Sequence, residues 1–220
     1  TLSLVACTRL RLGEKSDGLN EARARAWGVL TEVVDIAIPR FRALEMRLHN
    51  GETLSQEETA QAQAHAKLLD VVGRNVYFGS GALEAKDSKR SSGEPPKLPD
   101  AARYLSECSE IVDRLAAAGI PSLAHHLLQL LEYLLPIDPV RVFPTVARVV
   151  KGAEKSGYPY DSLAVKLLVD LVKRVLSDYR ALVREDDAFR GALLDVLDTF
   201  VRTGWPAASA LTHDLHLVFE

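Results

Sequence analysis

The sequence predicts an all-α chain built of stacked helix pairs, and three observations predict it. In the C-terminal half the chain spells glycine, a bulky apolar residue and proline three times: Gly119-Ile120-Pro121, Gly157-Tyr158-Pro159 and Gly204-Trp205-Pro206. Each corner is entered by apolar residues at i, i+4, i+7, i+8 and i+11, the spacing of one helical face. No segment alternates apolar and polar residues long enough to pair as a strand. Composition agrees: 47% hydrophobic, 6% aromatic and 26% charged is a globular balance, rich in the Leu, Val and Ala that fill helix seams.

The first twelve residues are apolar and ambiguous, and Gly13 to Asn20 reads as a turn. A helical pattern then runs from Asn20 to about Asn50. It should kink or break at Pro39, which lacks an N–H, and stop at Asn50-Gly51. Ser55-Gln56-Glu57-Glu58 is a capping box opening a helix to about Phe78, which Gly79-Ser80-Gly81 closes. Residues 87–99 (DSKRSSGEPPKLP) hold three prolines and a charge cluster, and read as a linker. The expected organisation is an N-terminal helical region over 1–86, that linker, and repeats over 100–220.

Each part of the corner has a physical task. Glycine takes the left-handed conformation that ends a helix, and the apolar residue folds back on the last turn. Proline suits the first turn of the next helix. The faces entering the corners align without a gap: Tyr104, Cys108, Ile111, Val112 and Leu115; Val142, Val146, Val149, Val150 and Ala153; Phe189, Leu193, Val196, Leu197 and Phe200. Helix pairs are therefore expected at about 100–118 with 121–135, 139–156 with 161–184, and 187–203 with 206–219. Asp138-Pro139 is a cap-plus-first-turn start for the middle pair.

This unit of about 40 residues resembles the HEAT and armadillo helical repeats. The early Pro144 resembles the proline that often bends the first helix of a HEAT unit. The resemblance implies an α-solenoid of three repeats in 100–220 with additional N-terminal helices. Its neighbours stack into one continuous core, and ligands lie along the second helices. A weaker echo lies at Ala22, Ala26, Val29, Leu30 and Val33, where Ala37 stands in place of the corner glycine. The closing stretch GWPAASALTHDLHLVFE is similar to the helical C-termini of some large bacterial NTPases, phage-defence proteins among them. That implies a docking or sensing end, with catalysis supplied upstream.

The 27 basic and 30 acidic residues give a net charge of −3, which excludes a globally basic nucleic-acid coat and an acidic disordered tail. Two cysteines, Cys7 and Cys108, cannot form a disulfide framework, so a reducing, cytoplasmic setting is expected. Leu4-Val5-Ala6-Cys7 mimics a lipoprotein box but lacks the basic and apolar segments that must precede one. No run approaches a membrane span. Because the chain opens on Thr1 rather than Met, it is expected to be processed or, as the leading reading, cut from a longer protein.

Chemistry is harder to find. His213 and His216 lie one turn apart, with Asp214 between them but no identifiable third ligand. His125 and His126 diverge by about 100° on a helix and belong at a helix seam. Cys108 falls on a core position and reads as a small hydrophobe. Gly79-Ser80-Gly81 lacks any phosphate-loop spacing, and Asp186 or Asp187 reads as a helix cap. No catalytic, cofactor-binding or metal-binding residue is assigned, and a small-molecule substrate is not expected.

One charge feature stands out. From Arg141 to Arg184 there are nine basic and four acidic residues, leaving 18 against 26 elsewhere. Lys166, Lys173, Arg180 and Arg184 fall on the second helix of the middle pair, where their spacings place all four within an arc of about 40°, a straight basic ridge. Arg141, Arg148 and Lys155 form a second stripe, expected to face outward on the first helix. The leading expectation is a non-catalytic interaction or scaffold module whose partner is a protein or another domain of the parent chain. A nucleic-acid-binding solenoid using the basic ridge is the alternative. A purely structural packing domain is the third.

Overall fold

The computed structural model describes residues 17–83, 85, 101–155, 162–204 and 211. Those residues form eight helices: α1 (Asp17–His49), α2 (Gln56–Gly79), α3 (Ala101–Ala118), α4 (Pro121–Leu134), α5 (Pro139–Lys155), α6 (Ser162–Asp178), α7 (Arg180–Glu185) and α8 (Asp187–Thr203). No strand occurs among them, so the fold class is all-α as expected.

Local signals set most of the helix ends. Ser55 caps α2 by accepting the Glu58 N–H at 3.2 Å, while the Glu58 carboxylate accepts the Ser55 N–H at 2.9 Å. Pro121 opens α4 behind Gly119, which sits at φ 67°. Asp138 accepts the Arg141 N–H at the start of α5, and Asp186 accepts the Phe189 N–H at the start of α8. Gly204 ends α8 in the left-handed conformation at φ 69°. The linker at 87–99, the corner at Gly157 and nearly all of the final helix expected at 206–219 lie outside the described residues.

In the N-terminal region the turn read over Gly13 to Asn20 is corrected at its C-terminal end, and the break at Pro39 does not occur. Helix α1 begins at Asp17, inside the segment read as a turn, and passes Pro39 without ending. A proline inside a helix costs about 3 kcal/mol. Here Val34, Ala37, Ile38 and Phe41 form one buried face that spans Pro39, while the proline ring itself points to solvent. Breaking the helix would divide that face, so burial against α2 outweighs the missing hydrogen bond. Pro144 is likewise contained within α5.

The helices touch in a regular order. Helix α1 lies on α3, α3 on α5 and α5 on α8, while α2 lies on α4 and α4 on α6. One row thus collects the first helices of successive pairs and the other the second helices, a contact order compatible with a helical repeat. A single core runs through both rows, from Leu30 in α1 to Phe200 in α8. The residues aligned from sequence supply much of it: Tyr104, Cys108, Leu115, Val146, Phe189 and Phe200 are all fully buried.

Candidate functional site

The basic ridge does not lie on one helix. Helix α6 ends at Asp178, and Tyr179 (φ −121°, ψ 29°) separates it from α7. Lys166 and Lys173 are therefore on α6, exposed on one face with Asp170 between them. Arg180 and Arg184 belong to α7. Arg180 Nε donates to the Leu176 carbonyl at 3.2 Å, the acceptor that its own N–H would take in an unbroken helix. The Arg184 carbonyl accepts from Arg190 Nη1 at 2.9 Å. The interruption turns the chain so that α8 can lie along α5, where Phe189 meets Phe143 at 5.0 Å between ring centroids.

Arg141 and Arg148 of the second basic stripe are exposed, as expected, but each is tied to α3, and the Lys155 side chain lies outside the described residues. Arg141 Nη2 donates to Ser109 Oγ at 2.5 Å, and Arg148 Nη2 donates to Asp113 Oδ1 at 2.9 Å. Thr145 Oγ1 donates to the same Asp113 oxygen at 2.7 Å, and Lys151 pairs with Asp195 across to α8 at 2.8 Å. These cations lace the first-row helices together. Glu107 does the same between α3 and α1, receiving Arg23 Nε at 2.7 Å and Trp27 Nε1 at 3.0 Å, along with Arg103 from its own helix. The sequence signal was available in part: Asp113 stands six residues before Gly119 as Asp198 stands six before Gly204, but nothing local says which cation reaches it.

The second row has a more chemical face, at the helix seam where His125 and His126 are expected. Where α2 meets α4, His126 lies 5.6 Å from the Tyr77 ring and 6.0 Å from Phe78, with His125 beside it at 5.9 Å. Asp70 is buried and pairs with Arg74 through Oδ2 at 2.7 Å. Its Oδ1, and the Nδ1 atoms of both histidines, are buried without a hydrogen-bond partner among the described residues. Burial pushes the His126 imidazole below its ordinary pKa; Asp70 opposes that shift, while Arg74 and His125 reinforce it. The outward residues of α4, His125, Gln129, Glu132 and Tyr133, are half-buried, whereas α2 and α6 on either side expose Leu68, Val71, Phe78, Lys166 and Lys173. That relief offers a shallow, mixed polar and aromatic surface.

Cys108 sits in the core between α3 and α5, and burial pushes its thiol up to about 12, which removes it as a nucleophile at neutral pH. Among the described residues no three His, Cys, Asp or Glu side chains converge as a metal site would require. None of the described helices is long and apolar enough to cross a membrane. The His213 and His216 pair lies outside the described residues. Comparison with family models, curated proteins and solved structures finds no match to this chain.

Proposed function

We propose that the chain is a non-catalytic helical-repeat interaction module of the α-solenoid kind, the docking or sensing part of a larger cytoplasmic bacterial protein. The observation that carries this reading is the division of labour between the two rows. The first row is laced internally through Asp113, Thr145, Arg148, Lys151 and Asp195. The second row keeps side chains available: Val71 and Phe78 on α2 and Lys166 and Lys173 on α6 are exposed, and the polar residues His125, Gln129 and Glu132 of α4 are half-buried. Exposed aromatic and aliphatic side chains beside recessed polar groups suit a protein surface, where buried anchors supply most of the affinity. Placing a photo-crosslinking residue at Phe78, Gln129 or Lys173, and in the first row at Gly191, tests it in the full-length parent protein. Adducts to one partner or domain should form from the second-row positions. Equal labelling from Gly191, or none from the second row, would refute the proposal.

A second reading has one supporting observation. Lys166 and Lys173 share a face of α6, and neither is engaged in an ion pair among the described residues. Contacts of this kind to phosphates weaken steeply with salt, by a log–log slope of about 0.7–0.9 per contact. Fluorescence anisotropy with short DNA and RNA, comparing wild type with Lys166→Glu/Lys173→Glu at about 50 mM salt, decides it. Equal weak binding by both proteins would exclude nucleic acid.

A further inference from the structure

Helix α1 ends the first row, and its outer side meets no other described helix. An end helix of a stacked array needs a polar outer face if it is to remain in water. Helix α1 has instead an apolar line: Val29 is 56% exposed and Ile36 46%, with Ala43 exposed on the same face. These three are spaced by seven residues, so they stay within about 20° of one direction along the helix.

The charges flanking that line are self-complementary. Glu32 and Arg40 stand four residues before and four after Ile36, each about 40° from its direction and on opposite sides. Both are exposed, and neither takes part in an ion pair or side-chain hydrogen bond among the described residues. We propose that a second copy of this chain docks here, α1 against α1 antiparallel, with the two-fold axis at Ile36. Two-fold symmetry then sets Glu32 level with the partner copy's Arg40, and the reverse, so both lone charges gain a partner. Val29 comes level with Ala43, whose small side chain lets the helices approach. At the ends Arg25 meets Arg47, but each brings its own carboxylates, Glu21 for Arg25 and Glu52 with Glu58 for Arg47.

From Val29 to Ala43 the seam is about 21 Å long, at about 1.5 Å per residue. One helix pair of that length buries less than the standard interface of about 1,600 Å², so the expected dimer is weak, with a dissociation constant of about 1–100 µM. This surface lies on the first row, and the inference is independent of what binds the second.

Sedimentation equilibrium of the full chain, from about 1 to 300 µM, tests it through charge reversal. Glu32→Arg and Arg40→Glu each set like charges at both symmetric contacts and should weaken the dimer at least tenfold. Glu32→Arg/Arg40→Glu reverses the pairs and should restore it, an outcome that a general loss of folding or solubility cannot mimic. A wild-type chain that stays monomeric to 300 µM overturns the proposal and leaves this face to another domain or partner. So does a dimer indifferent to the single reversals, or a double variant no tighter than either single one.

Discussion

Replacing Gly152 by alanine tests how tightly the first-row helices are pressed together. Helix α5 crosses the C-terminal end of α3 at this residue, and a Cβ built on Gly152 falls 2.8 Å from Gly119 Cα and 3.2 Å from the Ala116 carbonyl oxygen. Carbon atoms prefer about 3.5–4.0 Å, so the two backbones would have to part by about 0.7 Å or more. Neither can yield as a side chain would. Gly119 is held in the left-handed conformation at φ 67°, and the helices are tied by Thr145 to Asp113 at 2.7 Å and by Arg141 to Ser109 at 2.5 Å. Overpacking of a tight core costs about 1–3 kcal/mol, and a backbone-to-backbone clash belongs at the upper end. Alanine returns about 1 kcal/mol of helix propensity. The net expectation is a loss of about 2 kcal/mol, or about 4–8 °C in Tm for a chain of this length. Gly28 in α1 and Gly191 in α8 are the internal controls, since a Cβ there meets nothing within 4 Å. Gly28→Ala and Gly191→Ala should each stabilise by about 0.5–1 kcal/mol. Urea melts of the three variants give the comparison directly. If Gly152→Ala is as stable as wild type, or gains like the controls, the close approach of α3 and α5 is wrong.

Other outcomes follow from single sites. In a Cys7→Ser background, Cys108 should resist iodoacetamide at pH 8 in the native protein and react fully after denaturation, because its buried thiol is pushed up to about 12. His126 should make stability fall with acid. Its folded pKa is lowered, so the unfolded chain takes the proton first, and the contribution is complete above the ordinary value of 6.5 and lost as pH falls below it. His126→Phe, which keeps a ring against Tyr77 and Phe78, should flatten chemical-denaturation stability between about pH 7 and pH 5, the range in which histidine takes its proton; an unchanged slope would refute this. Ser55→Ala removes the side-chain acceptor of the α2 cap and should cost about 1 kcal/mol in a urea melt, whereas Glu58→Gln touches both the cap and the Arg47 pair and does not isolate the cap.

The sequence by itself determined most helix ends that a near neighbour sets and the buried faces that follow the helical period. The Ser55 and Glu58 box, Asp186, Pro121 and the glycines at 119 and 204 act within one or two turns, and each ends or starts a helix where its chemistry requires. The faces led by Tyr104, Val142 and Phe189 were legible because burial of a helix repeats every 3.6 residues, and those faces form the core. The α2–α4 surface was only half legible: adjacent histidines suggested a seam, but Asp70 and Phe78 come from a helix about fifty residues earlier. Tertiary structure decided the remainder. It carried α1 through Pro39, because the apolar face on both sides is buried as one. It stopped α6 at Tyr179, because the chain must turn to lay α8 along α5. It also assigned Arg141, Arg148 and Lys151 to Ser109, Asp113 and Asp195, and so dissolved an apparent basic surface into helix-to-helix ties. A charge has no partner in one dimension; long side chains choose among all the oxygens that packing brings within reach, and only the folded chain fixes which those are.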